Sequence, residues 1–247
     1  MPVLPQGGWA GNDVLRVSWE VTGEDGEGLA DEARRRASSY WLLAGFYLDP
    51  PTAESLVRLA DALVGVERDS EDPIANALGR LRDALSNCDP GDLAQRLAPE
   101  HLRLTGGLKP GYGPPPPYES VFREGGVTGE RTMGVLKAYG DAGLDPDCGF
   151  SVPGDHLGVE LKFLALACSR EAEAREAGRA QSVSDWIGRQ ARFLEGHLAP
   201  WVGSFCAEMR RHAREPFYHA VADLTEAACR LDLERVRQMT GEPASGR

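Results

Sequence analysis

Apolar residues recur three and four apart along almost the whole of this chain, and no run alternates with period two for long enough to make a confident strand. That regularity confines the chain to packed helices. The stripe Leu29, Ala33, Ala37, Tyr40, Trp41, Ala44, Tyr47 and Leu48 predicts one helix. Asp49-Pro50-Pro51 stops it, because proline lacks an amide and disfavours helix in the residue before it. Thr52 caps the next stripe, and Asp72-Pro73 and Asp89-Pro90 each set a capping carboxylate before a proline at the first helical position. The last of these leads through Leu93 and Leu97, with Pro99 to Leu104 as a separate short segment. Thr128 to Tyr139 reads as helix, and Asp155 as the cap of a long helix with Leu157, Leu161, Leu164, Ala165 and Cys168 on one face. Ser182-x-x-Asp185 resembles a capping box, Pro200-Trp201 restarts a helix, and Pro216 starts the last one. These signals predict an all-α fold of roughly nine or more helices.

Two stretches depart from the pattern. Residues 1–28 are glycine-rich and almost aperiodic, and are expected to form a flexible extension ahead of one helical domain at 29–247. Residues 106–117 hold Gly106-Gly107, Gly111, Gly113 and the run Pro114-Pro115-Pro116-Pro117, which predicts a polyproline-like loop. Tyr118, Val121 and Phe122 directly after it imply that the loop docks on the body.

The formal charge of −11 argues against nonspecific nucleic-acid binding and suits a positively charged partner. No stretch reaches the roughly 18 apolar residues of a membrane span. The start of the chain lacks a basic region followed by an apolar run, so the expected location is the cytoplasm. Arg34-Arg35-Arg36 before Tyr40-Trp41-Leu42-Leu43 superficially looks like an export signal, but it lies too far along the chain and reads as helix. Five widely spaced cysteines without C-x-x-C read as reduced, mostly buried thiols.

Chemistry is sparse. None of the five histidines lies in H-E-x-x-H, and the phosphate-loop and G-x-S-x-G motifs are absent. Asp155, His156 and Glu160 lie within one helix start, where they would hold a metal or polarise water in a metal-assisted hydrolase. The plainer alternative is that Asp155 caps the helix while His156 bonds nearby backbone. His197, Trp201 and Tyr218 sit on apolar faces and read as packing. A third reading makes the chain a helical interaction scaffold that offers Pro114–Pro117 to a partner.

Pro116-Pro117-Tyr118-Glu119-Ser120-Val121-Phe122 resembles the P-P-Y-E-S-V-[YF] motif of the TorD/DmsD family of cytoplasmic chaperones for molybdenum-cofactor redox enzymes. Val152-Pro153-Gly154-Asp155-His156-Leu157-Gly158-Val159-Glu160-Leu161-Lys162-Phe163-Leu164 resembles its P-D-D-H-[IL]-x-x-E-L-x-F-[ML] motif, with Gly154 at the first Asp. Glu100 to Leu104, Phe193 to Trp201 and Phe217-Tyr218 are similar to weaker family motifs, so the resemblance spans about 29–240. It implies an all-helical chaperone without catalytic activity or a cofactor of its own. Its partner would be the precursor of a molybdopterin oxidoreductase catalytic subunit, held by the twin-arginine signal peptide until cofactor is inserted. It places peptide binding at a hinge near 151–156, through Pro153, Asp155, His156 and Glu160, bordered by Tyr118, Glu119 and Ser120. Asp155 or Glu119 would pair with arginine, and His156 would tune release near neutral pH. Guanine nucleotide is a further ligand the family raises.

Overall fold

A computed structural model describes residues 26–69, 71–86, 88–107, 111–144 and 152–241. Most of the expected extension and residue 151 of the expected hinge, with Cys148, lie outside them. The order is α1 (Gly26–Leu48), α2 (Ala53–Ala62), α3 (Pro73–Leu85), α4 (Pro90–Thr105), α5 (Glu119–Glu124), α6 (Glu130–Asp141), α7 (Leu157–Glu176), α8 (Ala180–Phe193), a π-helical turn (Leu194–Leu198), α9 (Ala199–His212) and α10 (Pro216–Thr240). The described residues form no strand, only a bridge between Tyr118 and His156. None of their helices is long and apolar enough to cross a membrane.

Helix starts follow local chemistry. Thr52, Asp72 and Asp89 each accept amides of the first turn, as expected, and Pro73, Pro90 and Pro216 occupy first-turn positions where no amide partner is missed. α7 is the central element. It buries residues on every side, including Leu157, Val159, Leu161, Phe163, Leu164 and Cys168, rather than one face. α1 lies along it, and α10 covers α3, α8 and α9. Gly158 permits a close approach of α1 and α7, since a Cβ there would meet Leu48 at 2.5 Å.

Tertiary packing overrides several local signals. α1 begins at Gly26, three residues early. α4 runs straight through Pro99 instead of breaking, because Leu93, Leu97, His101 and Leu104 are all buried along it. Each buried leucine contributes roughly 1.5–3 kcal/mol, which together outweigh a proline cost of about 3 kcal/mol. The Ser182 capping box does not form. Gly178, at φ +64°, closes α7 through Arg179 N–H to Ala174 O, and α8 has already started at Ala180. Pro200 sits in the first turn of α9, as expected. α8 and α9 are joined by the π turn, in a chain region where proline offers Gly196 O no amide. That carbonyl accepts instead from Arg123 Nη1 at 2.8 Å.

One buried ionic cluster ties four helices together. Arg36 of α1 donates through Nε to Asp232 Oδ1 (2.6 Å) and through Nη2 to Oδ2 (3.0 Å) on α10. Its Nη1 donates to Glu171 of α7 (3.0 Å), and Nη2 also reaches Gln190 of α8. Tyr40 donates to Asp232 at 2.6 Å, and Gln190 Nε2 to Glu171 at 2.9 Å. The triple-arginine stretch is therefore embedded in the core at Arg36.

Candidate functional site

The proline-rich segment is strapped down at both ends. Arg103 grips both oxygens of Glu100 (2.8 and 2.6 Å) and donates to Tyr112 O (3.2 Å) in the loop and His212 O (2.7 Å) in α9. Gly113 passes so close to Arg103 O that a Cβ would lie 2.0 Å from it. Pro114 and Pro117 are buried, which leaves too little of the run exposed for it to serve as an extended proline ligand.

The segment then delivers Tyr118, Glu119 and Ser120 onto the start of α7. Leu157 N–H donates to Pro117 O (2.8 Å), Glu119 N–H to Asp155 O (3.0 Å) and Ser120 N–H to Asp155 Oδ2 (3.1 Å). The Tyr118 and His156 rings meet edge to face, 5.2 Å apart. On the other flank, Pro153 is half-buried, His156 N–H donates to Pro153 O at 3.1 Å, and Tyr139 Oη donates to Gly154 O at 2.8 Å. A Cβ on Gly154 would lie 2.7 Å from Leu136, so an aspartate at this position would need Leu136 to move.

The structure thus gathers every expected site residue, with three corrections. First, His156 rather than Asp155 caps α7, its Nδ1 accepting from Gly158 N–H at 3.1 Å. Asp155 is drawn away by Ser120. Second, His156 does not titrate near neutrality. Burial, with nearby His101 adding to it, pushes its pKa down to about 3, and burial takes His101 to about 4. Third, Glu119, Ser120, Asp155 and Glu160 are all 0% exposed. No carboxylate of the cluster offers an atom to a partner while Tyr118–Ser120 lies on α7.

The cluster is also under-satisfied. Asp155 Oδ1, Ser120 Oγ and His101 Nε2 are buried without a hydrogen-bond partner among the described residues, and Glu160 has only the Trp201 indole facing it. Burial, then the Glu119 and Asp155 carboxylates, push the Glu160 pKa well above the usual range, so it holds a proton far more readily than a free glutamate. Glu119 is the exception. Oε1 takes Arg123 at 2.5 Å and Oε2 meets His197 Nδ1 at 2.9 Å. The metal reading of Asp155, His156 and Glu160 does not survive this geometry, because His156 Nδ1 is spent on the helix cap. Among the described residues no three His, Cys, Asp or Glu side chains are grouped to hold a metal.

His101, Arg103, Arg123 and His197 complete the site and were not legible as its parts. His197 looked like packing, and its pairing with Glu119 depends on two segments 78 residues apart.

Residues 67–207 match the family model described as nitrate reductase delta subunit. The chain is 28% identical over 207 residues to chaperone protein TorD of Vibrio parahaemolyticus, covering 80% of this chain and 93% of that one. It is 31% identical over 118 residues to chaperone protein TorD of Aeromonas salmonicida, covering 47% and 51%. Among solved structures, a redox enzyme maturation protein from Archaeoglobus fulgidus aligns over 85% of this chain and 98% of its own, at 20% identity and a TM-score of 0.40. With more than half its length inside that model, the chain belongs to the nitrate reductase delta subunit family, the family of the TorD chaperones.

Proposed function

We propose that this protein is a maturation chaperone for a molybdopterin oxidoreductase. It would act in the cytoplasm and bind the precursor through a twin-arginine signal peptide at the junction of Tyr118–Ser120 with Pro153–Glu160. The observation that carries the reading is the buried carboxylate cluster of Glu119, Asp155 and Glu160, with Asp155 Oδ1 unpaired and Glu160 in no ion pair among the described residues. Buried charges and polar groups are ordinarily paired, and leaving one unpaired costs about 1–3 kcal/mol. A guanidinium supplies five donors in a fixed fork and so complements the acceptors that are missing partners.

Access requires Tyr118–Ser120 to lift from α7 with Pro153 and Gly154 as the hinge. Lifting breaks the Leu157–Pro117, Glu119–Asp155 and Ser120–Asp155 hydrogen bonds, each contributing about 1 kcal/mol. Water then reaches the orphaned groups and offsets much of that cost. An opening that costs a few kcal/mol leaves the open form at roughly the per cent level, ready for selection by the peptide. Arginines then enter the carboxylates, and the apolar stretch behind them packs as a helix in the groove exposed. The chain's overall negative charge steers the cationic head inward. Guanine nucleotide has no part in this reading.

The test is fluorescence anisotropy of a labelled twin-arginine signal peptide with the whole protein, alongside recovery of the precursor from native cells. Asp155→Asn should weaken the peptide about tenfold or more while leaving the fold intact, and replacing both peptide arginines by lysine should do the same, because lysine lacks the fork. Equal affinity for the Arg-Arg and Lys-Lys peptides would remove the carboxylate nest from the account.

A further inference from the structure

The motifs leave unexplained a cleft of about 260 Å³ between α6 and α8. Phe163 and Phe193, their rings 4.5 Å apart and each only 2% exposed, line it together with His197. Lys137, Arg189 and Arg192 line its rim against a single carboxylate, Asp141. That carboxylate is already held by Lys137 at 2.7 Å, and Asp141 O accepts from Arg189. A cationic rim on a chain of formal charge −11 marks this cleft off from the rest of the surface. Arg192 is exposed and forms no direct hydrogen bond with a described residue, though its charge, after those of Lys137 and Arg189, helps lower the pKa of Asp141. His197 spends Nδ1 on Glu119 and leaves Nε2 without a described partner. Gly134 keeps the His197 end open, since a Cβ there would lie 3.2 Å from the ring.

We infer that this cleft binds a small organic carboxylate, its charged end on Arg192 beside His197 and its apolar body over the edges of Phe163 and Phe193. Size sets the class. The cleft exceeds the roughly 150 Å³ that accommodates benzene, yet falls below the roughly 300 Å³ at which pockets for drug-sized molecules begin. One ring or a short chain with a single carboxylate fits, and a nucleotide does not. The planar fork of Arg192 suits a carboxylate more than a spherical ion. Through His197 the ligand would also touch the partner of Glu119, so that occupancy of the cleft is felt at the junction of Tyr118–Ser120 with α7.

Isothermal titration of the intact protein with benzoate tests this, with the His197 ring nitrogens followed by ¹⁵N NMR. The expected result is saturable one-to-one binding that shifts His197 Nε2, weakens at least tenfold in Arg192→Ala, and is not reproduced by methyl benzoate. Arg80→Ala, an arginine outside the cleft, should bind benzoate as the wild type does. Absence of saturation at tens of millimolar, or equal affinity in Arg192→Ala, overturns the inference. So does binding of an acidic peptide but not of benzoate, which would make the cleft a protein contact instead.

Discussion

Two of the buried polar clusters among the described residues are built in opposite ways. Around Arg36, every charge is answered. Asp232 receives Arg36 and Tyr40, and Glu171 receives Arg36, Gln190 and Arg175. Around Glu160, three carboxylates are brought together with no ion pair to Glu160 itself, and Asp155 Oδ1, Ser120 Oγ and His101 Nε2 lack partners among the described residues. The first cluster joins α1, α7, α8 and α10 and belongs to the permanent fold. The second joins the loop before α5 to the start of α7, where only a few hydrogen bonds hold the two segments. A protein that must open somewhere keeps its poorly satisfied groups at the place that opens, where water or a ligand can complete them.

The sharpest way to break this comparison is Arg36→Ala. It would leave Asp232 and Glu171 buried without their shared cation, and urea denaturation should show a loss of about 3–5 kcal/mol. A loss near zero would mean that the Arg36 cluster is not the lock described.

The next largest effect is a pH dependence. His156 has a folded pKa of about 3, below its unfolded value, so the unfolded chain binds the proton first and stability falls as pH drops below about 6.5. His156→Asn keeps a capping acceptor but removes the titration. Its stability relative to wild type should improve by about 2 kcal/mol between pH 7 and pH 5, at roughly 1.4 kcal/mol per unit.

Glu160 works with the opposite sign. Its folded pKa is raised, so the stability it contributes is present below about pH 4.5 and is lost as pH rises toward the folded value. Glu160→Gln should match wild type near pH 4 and be the more stable of the two at pH 8, read from urea midpoints. The smallest effect belongs to Ser120→Ala. The hydroxyl it removes has no partner, so the stability should change by no more than about 0.5 kcal/mol. A larger loss would show that Ser120 Oγ is bonded after all and that the cluster is better satisfied than described.

Much of the fold was legible in the sequence, because helix starts are local chemistry. Thr52, Asp72 and Asp89 cap where a short polar side chain precedes an apolar stripe. The failures share a cause. Pro99 stays inside α4 and Ser182 fails to cap α8, since buried leucines and a left-handed glycine set those boundaries from outside the local window. The site was legible mainly as a resemblance of motifs. Spacing along the chain could not reveal that Tyr118 would lie beside His156, that His156 would take the cap from Asp155, or that Arg123 and His197 would share Glu119. Nor could it reveal burial, which turns His156 from a neutral-pH switch into a group that stays uncharged.

The central claim is that the Glu160 cluster opens while the Arg36 cluster stays closed. Native-state hydrogen exchange of the intact protein tests it most directly, by comparing the amides of Glu119, Ser120 and Leu157 with those of α1 around Arg36 and Tyr40. The account predicts that the first set exchanges through a local opening several kcal/mol below global unfolding, and that a twin-arginine peptide changes its exchange while leaving α1 untouched. Exchange of both sets only through global unfolding, with no response to the peptide, would contradict it.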